Sequence, residues 1–393
     1  VAEERFVLGI EIDASQALQM SNNLTKAIRE TGQAIGLTDK QIEGMEKGLA
    51  RTGQATKSAA DNQKNLHQSL STTRYALYDV SSTLGVTGAA LLGLAAATYT
   101  VGIAWERNFA NVVRTTSANL GADQINLMRK AFLDLQGELP VVSKDLAEIG
   151  TLAGQLGIGA GDLVEFTEQV AKFSAVSGVT AEASATAFGR LNSLLPDVAG
   201  DFQSLSSSIL KVGVNSVATE AQIIATAQQI ASMGQLAGLS AEDVIGLSGA
   251  LASLGIPPEL SRSVITTSFT KIISAVSQGG EALDKFGAAA GMSGSEFKTA
   301  WGEDALSTFS RLLATIASSP NAVQLLDGIG LSSQRLTPTL LKLGQNTDVL
   351  AQAMQDANVG FAEGNEVNRQ YGIIAETTAA KLQIMVNRFQ ALM

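Results

Sequence analysis

Strict alternation opens the chain. In RFVLGIEID, Phe6, Leu8, Ile10 and Ile12 take one side and Val7, Gly9, Glu11 and Asp13 the other, a period of two that predicts a short strand. A helix is expected from Ala14, carrying Leu18, Leu24 and Ile28. The period then lengthens: Ile28, Ile35, Ile42 and Leu49 fall seven residues apart, Leu70 and Leu77 keep that register, and Met45 and Leu66 sit three residues beyond register positions. Such a stripe predicts helices meeting along a narrow, coiled-coil-like seam. Gly32, Gly36, Gly44, Gly48 and Gly53 interrupt it, and Thr38–Gln41 (TDKQ) reads as a capping box that starts a new helix. One long helix and a helical hairpin both fit.

Polarity then vanishes. Between Asp79 and Glu106 no Lys, Arg, Asp or Glu occurs, and LGVTGAALLGLAAATYTVGIAW is rich in Ala and Gly. The run is long enough to cross a bilayer as a helix, for which about 20 residues suffice. Gly85, Ala89, Gly93 and Ala97 fall four apart, a ladder that lets helices approach closely, and Tyr99 and Trp105 stand toward one end. Packing within a helical bundle is the favoured reading, with membrane contact as a conditional second role.

Helical periodicity governs the rest. Residues 105–140 predict two helices, the first facing inward through Trp105, Phe109, Val112 and Val113, the second through Leu127, Phe132 and Leu135; Gly121 and Pro140 punctuate them. The chain then echoes itself. GVTAEASATAFGRLNSLL from Gly178 aligns with GLSAEDVIGLSGALASLG from Gly238, and Ser143–Ile158 aligns more weakly with Ala241–Ile256. Each copy reads as a glycine that closes one helix, a Ser or Thr that caps the next, an acid in its first turn and a small-residue face. Thr219 with Gln222 is a further box-like start. These are helix–turn–helix units without the fixed period of a solenoid. GIPPEL at Gly255–Leu260 breaks the chain, with Pro257 or Pro258 suited to the first turn of a helix through Val264, Ile265, Phe269, Ile272 and Ile273 that ends by Gly279 and Gly280. Residues 281–345 read as short helices with Gly, Ser and Pro joints. At the end, Ala375, Thr378, Leu382, Met385, Phe389 and Leu392 step 3, 4, 3, 4, 3, a seam suited to joining copies of the chain. It meets no glycine or cap before Met393, so more protein is expected to follow.

Composition sharpens this picture. Apolar residues make up 45% of the 393, enough for a sizeable core, yet aromatics are only 5%, with 38 Gly and 6 Pro. That balance favours many short helices packed through small side chains. The net charge of −10 is uneven: residues 1–83 carry nine basic and ten acidic groups, residues 84–393 eighteen and twenty-seven. No basic stripe is available to neutralise phosphates, which argues against sequence-specific nucleic-acid binding. VAEERFVLGIEIDAS places acids where a secretory leader needs Lys or Arg.

Chemistry is sparse. Cysteine is absent and His67, in the polar stretch KNLHQSL, is the single histidine, so a thiolate site or a zinc site with two or three imidazoles is excluded and a Ser–His–Asp triad would have to use His67, which reads as an exposed or helix-packing residue. Neither G-x-S-x-G nor a P-loop occurs. GIGAGD at Gly157–Asp162 approaches a dinucleotide loop, but a helix precedes it and its third glycine is one position early; it reads as a joint between helices. No catalytic, cofactor or metal residue is assigned, and no enzyme activity is expected.

The order of these features resembles the core region of tail tape measure proteins of long-tailed bacteriophages, siphovirus- or myovirus-like. WERNFANVVRTT, FLDLQGELPVVSKDLAEIGTLAGQLGI and GLSAEDVIGLSGALASLGIPPELSRSVITTSFTKI carry the resemblance, which covers residues 100–393. It implies a non-enzymatic virion protein inside the tail tube or at the tail tip. Such a protein sets tube length during assembly and assists genome passage through the host envelope, meeting the host membrane on ejection. The partners implied are further copies of the chain, tail tube and tail tip or baseplate proteins, tail assembly chaperones and, transiently, the host membrane.

The expected fold is all-α and elongated: glycine-punctuated helical hairpins with coiled-coil-like segments, one short N-terminal strand and assembly as a homo-oligomeric bundle. Its divisions are 1–79 (strand and coiled-coil-like helices), 80–105 (Ala/Gly-rich hydrophobic helix), 106–290 (core helical repeats) and 291–393 (short helices leading into the terminal seam). A membrane-inserting helical toxin or secreted effector is the alternative reading of the same pattern.

Overall fold

The computed structural model describes residues 107–116 and 120–391, together with Glu43 and Trp105. The strand at 6–13, the helix after it, the seven-residue series at 28–77, the box at Thr38–Gln41, His67 and the uncharged run up to Ala104 lie outside the described residues. Among the described residues the chain forms seventeen helices and no strand, so the all-α expectation holds there. The described residues divide into two compact units, one of 107–114, 120–148 and 375–391, the other of 115–116 and 149–374.

In the first unit, α1 (107–116) and α2 (Ala122–Glu138) meet through aromatic rings. Trp105 stacks on Phe109 at 5.7 Å between centroids, Phe109 meets Phe132 edge-on at 5.9 Å, and the Arg129 guanidinium lies 5.5 Å above the Phe109 ring. The buried face of α2 is Met128, Phe132, Leu135 and Gln136, and Leu127 is 69% exposed. Leu127 was expected inside. Steps of four and three from Met128 keep one helical face, whereas a step of five from Leu127 to Phe132 leaves it.

The stretch that carries the terminal seam is divided near its start. Helix α16 (Glu366–Ala375) stops at the seam's first residue and α17 (Thr378–Ala391) starts afresh. The cause is local: the Thr377 hydroxyl accepts the Ala380 amide at 3.3 Å, so a cap interrupts the periodic stretch. Among the described side chains of α17, Ala380 and Asn387 are buried and Leu382 is 37% exposed, and the helix packs against α2.

The second unit holds the repeats, and their local chemistry is as read. After α4 (Leu163–Ser177), Gly178 takes φ 70° and Thr180 caps α5 (Ala181–Leu194) by accepting the Ala183 amide at 3.2 Å. After α7 (Glu220–Leu236), Gly238 takes φ 81° and Ser240 caps α8 (Ala241–Ser253), with Asp243 completing the box. The weaker copy matches at its other end. Following α3 (Ser143–Gln155), Gly157 is left-handed and the Ile158 amide bonds back to the Ala153 carbonyl at 3.0 Å; after α8, Gly255 and Ile256 do the same to Leu251 at 3.0 Å. Each "LGI" is thus a Schellman stop whose isoleucine is buried, and GIGAGD is the joint it was read as.

Helix α9 (Pro258–Gln278) begins with Pro258 at its first position and buries Val264, Ile265, Phe269 and Ile272, as the GIPPEL breaker predicts. The short helices then follow in turn: α10 (Gly280–Ala289), α11 (Gly294–Glu303), α12 (Ala305–Ser318), α13 (Ala322–Gly328) and α14 (Leu336–Gln345). Phe269 receives Trp301 and Phe309 edge-on at 5.5 and 5.1 Å.

Candidate interaction surfaces

The tightest packing in the second unit joins α6 (Phe202–Asn215), α8 and α15 (Thr347–Glu363). Small residues make it. A Cβ at Gly246 would lie 2.8 Å from the Met354 Cα, and one at Gly360 would lie 2.8 Å from the Ser208 Cα and 2.9 Å from the Ser207 carbonyl oxygen. Gly249 abuts Val212. With backbones this close, polar groups reach across: the Ser208 hydroxyl donates to the Ala357 carbonyl at 2.9 Å. Asn215 donates to Asp356 at 2.8 Å and Gln352 reaches the other oxygen of that carboxylate at 3.1 Å.

A charged cluster ties α16 to the helices before it. Gly364 turns left-handed at φ 59°, and Glu366 opens α16 with only 2% exposure. Its carboxylate accepts from Arg369 at 2.5 and 3.2 Å and from Gln370 at 3.0 Å, with the Lys211 ammonium of α6 at 3.8 Å. Burial pushes this carboxyl upward, yet the hydrogen bonds from Arg369 and Gln370 and the charges of Arg369 and Lys211 hold it below its ordinary value. Beside it, Lys172 of α4 pairs with Glu168 at 2.6 Å, donates to Asn368 at 2.8 Å and lies 5.7 Å over the Tyr371 ring.

Asn387 organises the corresponding contact in the first unit. Its side-chain amide donates to the carbonyls of Leu139 and Val141 at 2.8 and 2.7 Å, and its oxygen accepts from Gln383 at 2.9 Å. Sequence spacing missed this residue because an asparagine does not mark an apolar stripe.

Among the predicted packing residues, Gly85, Ala89, Gly93, Ala97 and Tyr99 lie outside the described residues, and Trp105 joins the aromatic group of α1. Ala375 ends α16; Thr378, Leu382, Met385 and Phe389 lie along α17, and Leu392 is outside the described residues. Among the described residues no helix is long and apolar enough to cross a membrane, so the transmembrane expectation finds no support there. No group of His, Cys, Asp or Glu among them is placed to hold a metal ion. A groove of about 540 Å³ runs between α12 and α15, past Ser310, Arg311, Ala314, Met354 and Asn358. Its one charged lining residue is Arg311, so its walls offer no acid–base pair.

The described residues thus form an all-α protein held together by close helix packing and side-chain-to-backbone ties. Residues 129–358 match the profile of the phage-related minor tail protein family, and the chain belongs to that family. No curated protein matches the chain. Family membership makes it a phage tail protein, a component of the virion tail that meets other tail components.

Proposed function

We propose that this chain is a tape measure protein, a non-enzymatic component that sets tail tube length during assembly and assists genome passage on ejection. The match to the minor tail protein family across residues 129–358 carries the proposal. The seven-residue stripe at 28–77 supports the measuring role, since a helix rises about 1.5 Å per residue and its reach scales with residue count. The net charge of −10 supports a place on the genome's exit path, because like charge keeps DNA from adhering.

Further copies of the chain, the tail tube, the tail tip or baseplate and assembly chaperones are the proposed partners. Ala375, Thr378, Leu382, Met385, Phe389 and Leu392 are proposed as the joining seam, to which the exposed Leu382 side chain lends support. The proposed divisions are 1–79, 80–105, 106–290 and 291–393. Tail length tests the role. Tandem duplication of residues 28–77 should lengthen tails by about 75 Å. Viable phage with tails of unchanged length would contradict it.

A further inference from the structure

A ruler needs its two ends to move apart as residues are added, and the second unit does the opposite. Lys172 on α4 and Asn368 on α16 are 196 residues apart in the chain and 2.8 Å apart in space. The same folding back recurs inside that span. Ser208 bonds to Ala357 across 149 residues, Asn215 to Asp356 across 141, and the Lys342 ammonium reaches the Leu254 carbonyl across 88. A continuous helix from 172 to 368 would separate its ends by about 290 Å at about 1.5 Å per residue.

These closures are built rather than incidental. The Lys172 side chain is only 15% exposed and is held from both sides by Glu168 and Asn368. The Glu366 side chain is 3% exposed and draws on Lys211 and Arg369. Between the closures, backbones meet at Gly246 and Gly360 with no room for a methyl group.

We infer that residues 172–368 contribute a fixed increment to tail length, independent of how many residues lie between the two ends. Measuring is therefore confined to the chain outside this span. The inference rests on the tape measure reading and divides its labour: the part matching the minor tail family is largely a module of constant size, and residue count is read elsewhere.

One segment placed in two positions tests this in assembled phage. Residues 28–77 are duplicated in tandem, or a second copy is inserted after Pro320, in the exposed turn between α12 and α13. Tail lengths are then measured by electron microscopy. The tandem duplication should lengthen tails by about 75 Å and the insertion after Pro320 should leave them at wild-type length. Lengthening by about 75 Å from the Pro320 insertion overturns the inference while leaving the tape measure reading in place. Unchanged length from both placements overturns the reading and the inference with it. If the Pro320 insertion blocks assembly, the same copy placed after Asp197, in the exposed turn between α5 and α6, supplies the comparison.

Discussion

Glu366 and Asn387 show how much of this fold depends on single polar side chains. Glu366 follows the left-handed turn at Gly364 and is buried among Arg369, Gln370 and Lys211. Because its folded value is held below the ordinary 4.5, its contribution is fully present above that value and is lost as pH falls through the depressed one. Glu366→Gln should therefore cost about 1–2 kcal/mol at neutral pH, and the difference from wild type should close in acid, as read from chemical denaturation at several pH values. Asp243 and Glu220 act in the opposite sense. Burial raises both despite their hydrogen bonds, so each carries a cost at neutral pH that protonation relieves. Asn387→Ala leaves the Leu139 and Val141 carbonyls without its amide and should cost about 2–3 kcal/mol. Hydrogen exchange of the full chain should show α17 opening faster while the α6–α8–α15 contact is unchanged.

At the scale of elements, glycine has two opposed roles that substitution separates. Gly246 faces the α15 backbone, and a methyl there would force α8 and α15 apart; Gly246→Ala should destabilise by about 1–3 kcal/mol. Gly372 lies within α16 with nothing near its missing Cβ, so Gly372→Ala should stabilise by up to about 1 kcal/mol. Thermal unfolding of the two variants should move in opposite directions. Helix starts and stops were legible in sequence because caps are local: Thr180, Thr219, Ser240, Pro258 and the two "LGI" stops all act within six residues. Helix phase was less legible. Leu127 was assigned inward, but the inward face of α2 runs from Met128, and the start of a new helix at the Thr377 cap left no mark in the 3, 4 spacing of Ala375–Leu392. The ties of Asn387 to the Leu139 and Val141 carbonyls and of Glu366 to Lys211 escaped the sequence because they join residues far apart in the chain and leave no periodic trace.

At the scale of the whole molecule, the family was legible in the order of the repeated units, and the match over 129–358 falls on those units. The folding back of residues 172–368 was not legible, since helical periodicity is the same in a rod and in a closed bundle. Together these observations place a compact module of close-packed helices in a phage tail, and the proposal that measurement is left to the chain around it follows from that folding back. The central claim is that this protein occupies the interior of the tail, and a cryo-electron microscopy reconstruction of intact tails tests it most directly. The account predicts helical density from this chain on the tube axis, in the lumen or at the tip. Density from this chain on the outer surface of the tail, with an empty lumen, would contradict it.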